Sequence, residues 1–317
     1  MYKTFYGLKR NPFEITPDPT FLFPTLRHNE ALASLYYGVT ARRGFVVLTG
    51  EVGTGKTLLL RSLLGLLQQR DVAFALVFNP SLTALEFMRY ICGDFGLPTS
   101  GKAKDELLHG LNGFLLQRYQ RGLTTLVVVD EAHHLSAEVM EEIRLLTNLE
   151  TSQQKLLQII LAGQPELDQK LDSYGLRQLK QRVAMRCHLE SLTQLETGQY
   201  VRRRLTIAGV TEGREIFDVT AIAAIHQHSR GIPRLVNTIS ENALLSGFAK
   251  QLPSITAEII HGVARDLRLE VIAVEDEAIG ASMTPAPDDT ELLRAVKKLL
   301  EVHDRIQGPV DPKGRLQ

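Results

Sequence analysis

One octapeptide constrains this chain more than any other feature: Gly50-Glu51-Val52-Gly53-Thr54-Gly55-Lys56-Thr57 satisfies GxxxxGK[ST] in full. Such a run cradles phosphate only when a buried strand leads into it and a helix leaves it, because backbone N–H groups at a helix N-terminus must converge on the anion. Both flanks are present. Phe45–Thr49 is a short apolar run rich in β-branched residues, and Leu58–Gln69 has helical composition. The glycines let the backbone curl around a β-phosphate, Lys56 can neutralise β and γ oxygens, and the Thr57 hydroxyl is a ligand for Mg²⁺. Nucleotide binding by Gly50 to Thr57 is therefore the first expectation.

A P-loop of this kind needs a parallel sheet, and the sequence supplies strands for one. Val72–Phe78, Leu126–Val129 and Leu156–Ala162 are apolar throughout, and Leu82–Gly93, Lys102–Arg121 and Ala137–Leu149 between them read as helices. Strands without alternation imply burial on both faces. After Leu192 the strand signal ends. Thr193 with Glu196 forms a capping box that opens a helix closed by Gly209, and Asp218–Ser229, Pro233–Ala249 and a helix from Thr256 to about Leu267 follow. The expected fold is α/β, a parallel P-loop NTPase sheet with helices on both faces, followed by a small all-helical lid.

The 317 residues fit about two domains. Residues 28–192 are assigned to the P-loop domain and 193–270 to the lid. Residues 1–27 form an arm in which Pro12, Pro17, Pro19 and Pro24 alternate with aromatics, which predicts an extended, packed strap without helix. Residues 271–317 read as an acidic linker and a short amphipathic helix, about Glu291–Ile306, which could fold back or meet a partner. No run is long and apolar enough to span a bilayer, the N-terminus lacks an apolar signal core, and Cys92 and Cys187 sit in no ligand spacing. A cytoplasmic chain is expected.

The second half of the site should be an acid at the tip of a neighbouring strand. Leu126–Val129 ends in Asp130-Glu131. Asp130 is assigned to the Mg²⁺ shell and Glu131 to polarising the attacking water, which points to hydrolysis rather than passive binding. His133 and His134 lack any zinc-ligand spacing and are read as loop or helix-start residues near the γ-phosphate side. Gln164, at the tip of Leu156–Ala162, can orient water or contact the γ-phosphate, or simply cap the helix after Pro165. The run Arg177–Arg186 holds four bases and no acid. It is either a solvated helix face or a source of an arginine for a neighbouring subunit's nucleotide. Gly231-Ile232-Pro233-Arg234 opens a lid helix with proline in its first turn, giving Arg234 a defined origin.

Lysine plus arginine equals aspartate plus glutamate, 36 against 36, so net charge does not indicate nucleic acid. Arg202, Arg203 and Arg204 are the candidates if DNA is nonetheless bound.

Together these residues resemble the AAA+ ATPases of the ORC/Cdc6-like class. Lys56 and Thr57 match Walker A, Asp130-Glu131 Walker B, Gln164 the sensor 1 place, Arg182 the arginine-finger place and Gly231–Arg234 the GxPR sensor 2. Within that class the chain is similar to the general secretion pathway protein A family. The likeness rests on Tyr6-Gly7-Leu8 with Pro12-Phe13, Thr16-Pro17-Asp18-Pro19, His28 with Glu30-Ala31-Leu32, Tyr37-Gly38, the run Leu145–Thr151, and Gln158–Leu167. It covers about residues 1–267. The resemblance implies ATP and Mg²⁺ as ligands, Tyr37 and Gly38 near the adenine, and a nucleotide-dependent oligomer completed by a neighbour's Arg182. It further implies a protein partner in a secretion or envelope complex, at the inner membrane. Related ATPases serve transposition and DNA loading, and a slow regulatory switch is a third reading. The family often continues into a transmembrane helix and a peptidoglycan-binding domain, where this sequence has the acidic linker.

Overall fold

The computed structural model describes residues 1–14, 21, 23–68, 70–78, 81–211 and 213–269. The amphipathic helix expected near residues 291–306 lies outside them.

Five parallel strands form one sheet: β1 (Phe45–Gly50), β2 (Ala73–Val77), β3 (Thr125–Val129), β4 (Gln158–Gly163) and β5 (Val183–Leu189), in the order β2-β3-β4-β1-β5. Strands β1, β3 and β4 are buried at every residue. Their side chains alternate between two apolar layers, as the period of two requires. Phe45, Val47, Val127, Val129, Ile159 and Leu161 face α4 (Ala84–Asp94), α5 (Lys104–Gln120), α6 (Ala137–Leu146) and α7 (Glu166–Asp172). Val46, Leu48, Leu126, Val128, Ile160 and Ala162 face α2 (Leu26–Thr40) and α3 (Lys56–Gln68). With helices on both faces, the carboxyl ends of the strands are the open rim for a ligand.

Two elements differ from the sequence reading. The basic run around Arg182 is not one helix: α8 (Arg177–Lys180) lasts four residues, and the chain then enters β5 beside β1. On this edge strand Val183, Met185, Cys187 and Leu189 turn inward while Ala184, Arg186 and His188 are exposed. In the arm, α1 (Tyr2–Tyr6) forms before the first proline and stops at Gly7, whose φ of 73° is left-handed.

The helices α9 (Gln194–Ile207), α10 (Val219–Ser229), α11 (Pro233–Ala249) and α12 (Ala257–Asp266) pack around a third apolar cluster. Thr193 and Glu196 make the expected reciprocal capping box of α9. The arm belongs to this cluster, through Tyr6, Leu8, Phe13 and Phe23. Phe13 meets Phe217 edge-to-face at 6.0 Å, Phe23 meets Tyr200 at 5.8 Å, and the Tyr6 hydroxyl donates to the Leu252 carbonyl at 3.0 Å.

Arg204 ties the arm down. It is 5% exposed. Its Nε donates to the Pro12 carbonyl at 2.6 Å, one terminal nitrogen reaches both Tyr200 Oη and Asn237 Oδ1, and the guanidinium stands 4.4 Å from the Phe21 ring centre. Of the three successive arginines, Arg204 is therefore withdrawn from any surface that could meet DNA.

Candidate nucleotide site

Strand β1 delivers the chain into the loop at Gly50, where a Cβ would stand 2.7 Å from the Leu189 carbonyl oxygen on β5. Gly53 and Gly55 have φ of 86° and 105°, which glycine adopts without strain. The loop is braced from two sides. His28, buried at the start of α2, places Nε2 3.1 Å from the Thr54 carbonyl and Nδ1 2.7 Å from Thr25 Oγ1. From the lid, the backbone N–H of Arg234 donates to the Gly53 carbonyl at 3.3 Å. Proline at the first turn of α11 fixes that approach.

Lys56 is 5% exposed and donates Nζ to the carbonyls of Gly50 at 2.7 Å and Glu51 at 3.0 Å. Burial pushes its pKa below the ordinary lysine range, while Glu131 and Asp130 pull it back up. Thr57 Oγ1 donates to Asp130 Oδ2 at 2.7 Å, and the other Asp130 oxygen accepts the Glu131 N–H at 2.9 Å. Glu131 itself is left-handed at φ 52°, an uncommon conformation for a non-glycine residue. Its carboxylate oxygen Oε2 is buried without a hydrogen-bond partner and lies 3.5 Å from His133 Nδ1. The Gln164 N–H, at the tip of β4, donates to that same Nδ1 at 3.4 Å.

A cavity of about 260 Å³ opens between this loop, the lid and the arm. Val52 to Leu58, Glu131 and Arg234 line its polar end; Phe21, Phe23, Leu192, Tyr200, Arg204 and Asn237 line the rest. The structure thus brings together Gly53 to Thr57, Asp130, Glu131, Gln164 and Arg234. It sets three other sequence-derived candidates apart. Tyr37 and Gly38 do not line the cavity: a Gly38 Cβ would stand 2.8 Å from Val46 Cγ2, so that position is spent on packing α2 against β1, and the Tyr37 hydroxyl accepts from Arg43 at 2.6 Å.

Arg182 is the third. It precedes Val183, which pairs with Phe45 at the start of β1, whereas the loop leaves the other end of that strand. The six residues of β1 put about 17 Å between those ends. In this chain Arg182 donates to Thr147 Oγ1 at 2.9 Å. Residues missed in the sequence are His28, Tyr200 and Asn237. Tyr200 and Asn237 are single polar side chains on helices that no spacing sets apart from surface residues, whereas His28 stands in the pattern with Glu30-Ala31-Leu32, which carries a likeness but no role at the loop.

A wholly parallel sheet with a phosphate loop after β1, paired acids after β3 and a helical lid touching the loop defines an AAA+ P-loop protein. Residues 39–171 match the AAA domain family. Over 278 residues, 87% of the chain, it is 45% identical to general secretion pathway protein A of Aeromonas hydrophila, and it spans about half, 50%, of that relative's length. The chain is an AAA+ protein of the general secretion pathway protein A type.

Solved structures with the same fold include the Aeropyrum pernix ORC2 protein in ADPNP-ADP complexes, with TM-score 0.57 and 17% identity over 81% of this chain and 72% of that one. Cdc6p from Pyrobaculum aerophilum gives 0.58 and 18% over 78% and 71%. Drosophila ORC bound to DNA gives 0.62 and 15% over 95% and 78%. At these identities the likeness is one of fold. Among the described residues, no helix is long and apolar enough to cross a membrane.

Proposed function

We propose that the cavity binds ATP with Mg²⁺ and hydrolyses it, and that the cycle drives assembly or remodelling of a secretion or envelope complex. The observation that carries this reading is the meeting of Thr57, Asp130 and Glu131 beside a buried lysine at the open rim of the sheet. The donor set fits the ligand. A hydroxyl and a carboxylate are the hard oxygens that Mg²⁺ prefers, and the Glu131 side chain, 44% exposed where it lines the cavity, can accept from water there. Bound nucleotide with its metal would supply the phosphoanhydride and the charge to be neutralised.

In this reading Gly50 to Thr57 hold the phosphates through their backbone, and Lys56 exchanges its two carbonyl partners for phosphate oxygens. Thr57 and Asp130 hold the metal. Glu131 orients and polarises water, Gln164 stands at the γ-phosphate side, and Arg234 carries the lid's response. Phe21, Phe23 and Tyr200 offer aromatic surface for the base. Arg182, remote from the chain's own loop, would serve a neighbour's nucleotide in an oligomer. Similarity to general secretion pathway protein A supports the secretion role; in this reading the chain works on the cytoplasmic side, meeting the inner membrane through a protein partner.

The test is nucleotide binding and phosphate release by the purified chain. Lys56→Ala should abolish binding, and Glu131→Gln should bind ATP and lose turnover. Normal hydrolysis by Glu131→Gln would overturn the role given to that carboxylate.

A further inference from the structure

The ring of His133 is walled in, its side chain only 7% exposed. Its Nδ1 faces two groups with opposite requirements. To accept the Gln164 N–H at 3.4 Å, Nδ1 must carry a lone pair, which places the ring proton on Nε2. To serve the Glu131 carboxylate 3.5 Å away, Nδ1 must carry the proton itself. A neutral imidazole satisfies only one of them at a time. Two buried atoms mark the conflict: His133 Nε2 and Glu131 Oε2 both lack hydrogen-bond partners. Such orphans are rare enough in folded proteins to require a reason.

The backbone leaves the ring little freedom. The His133 carbonyl accepts from Lys170 Nζ at 2.9 Å, and a Cβ on Gly163 would stand 3.2 Å from the His133 nitrogen. The end of β4 and the start of the short helix Ala132–His134 are thus in contact. Movement of the Gln164 peptide changes what Nδ1 can offer Glu131.

We propose that His133 is a positioning residue of the candidate hydrolytic site, its Nδ1 shared between the Gln164 backbone and the Glu131 carboxylate, so that the tip of β4 governs how that carboxylate is held. This inference rests on the ATPase reading above. The charged and titratable groups around the ring are Glu131, Glu166, Lys56 and Lys170, with the His134 ring centre 3.9 Å away.

The test uses the full chain with His133→Phe, His133→Asn and His133→Ala, alongside Glu131→Gln and the double variant Glu131→Gln/His133→Phe. Turnover, KM for ATP and affinity for a fluorescent ATP analogue are measured, with thermal unfolding as the check on folding. Phenylalanine keeps the ring volume without a nitrogen. Its kcat should fall about 10- to 100-fold, the usual cost of losing a supporting hydrogen bond at a site, with KM and affinity within about twofold. Asparagine can turn either an acceptor or a donor toward the Nδ1 place, and should recover most of the turnover that Ala loses.

In single-turnover assays with excess enzyme, which resolve the residual hydrolysis of Glu131→Gln, His133→Phe should add no further loss in that background, since the two act through one group. Wild-type kcat in His133→Phe, or losses that multiply in the double variant, would overturn the proposal. If His133→Phe fails to fold, Asn no better than Ala overturns it. A fully active Glu131→Gln would remove the ATPase role of Glu131 and this inference with it. An inactive Glu131→Gln beside a normal His133→Phe would remove this inference alone.

Discussion

Thr57 and Asp130 stand 73 residues apart in the chain, yet the threonine hydroxyl donates to the aspartate carboxylate at 2.7 Å. The contact joins the first turn of α3 to the end of β3, so the two hard oxygen donors are held together by the sheet itself. Thr57→Val, close in shape, removes one donor and leaves the loop intact. Half-saturating Mg²⁺ in an ATP turnover assay should rise about tenfold or more, and Thr57→Ser should restore it. Unchanged Mg²⁺ dependence in the valine variant would remove Thr57 from the metal site.

Arg204 holds the arm by hydrogen bonds to the backbone carbonyls of Pro12 and Glu14 and to two side chains. Arg204→Ala leaves the Pro12 carbonyl without this donor, while Asn237 Oδ1 still accepts from Tyr200, and should cost about 1–3 kcal/mol in urea unfolding. Lysine should rescue poorly, because one ammonium cannot reproduce the planar fork. Limited proteolysis should then cut within the first 27 residues before it cuts the sheet. Equal stability of wild type and alanine variant would show that the arm is fastened elsewhere.

Burial lowers the pKa values of His28, His226 and His228, with the Thr54 carbonyl opposing the shift at His28 and His261 adding to it at His228. A histidine whose folded pKa lies below its unfolded value, near 6.5, binds protons more readily when unfolded. Its share of stability is therefore complete above about pH 6.5 and is lost as pH falls through the folded values. The melting temperature should hold steady from pH 8 to about 7 and decline toward pH 5, less steeply in His28→Gln. A flat profile down to pH 5 would contradict the neutral, buried state assigned to these rings.

Gly231 has φ of 70°, and a Cβ there would stand 1.9 Å from the Leu192 carbonyl oxygen. The Leu192 N–H in turn donates to the Gly231 carbonyl at 2.9 Å. Gly231→Ala must push apart the junction of sheet and lid, at a cost of about 3 kcal/mol or more. Loss of ATP affinity should accompany it, since α11 would no longer reach Gly53. A variant that melts and binds like wild type would show that this junction yields easily.

The parts of the site that follow from spacing were legible in the sequence. The loop from Gly50 to Thr57, the acids after Val129 and the turn at Pro233 all sit where a strand or helix end forces them. Strand β5 was obscured by its charges. Its alternation of Val183, Met185, Cys187 and Leu189 with Ala184, Arg186 and His188 is an edge-strand pattern, but the preceding bases of α8 draw the eye to a helix. Tyr37 and Gly38 show the converse limit. A helix next to a phosphate loop in sequence can spend its small residue on packing, and only the tertiary arrangement gives the cavity wall to Phe23 and Tyr200 instead. The burial of Arg204 is of the same kind: its acceptor at Pro12 lies 192 residues away.

The helical unit closes around both the first and the later parts of the chain, for its apolar cluster holds Tyr6, Leu8 and Phe13 together with residues from Leu192 to Val263. During synthesis those apolar residues leave the ribosome long before the surface that covers them exists. Their pairing is among the most distant in sequence that the fold requires, and closing so long a loop is slow. The sheet can assemble first, but the nucleotide cavity gains its last wall only when the lid has been made and the opening residues of the chain have returned to it.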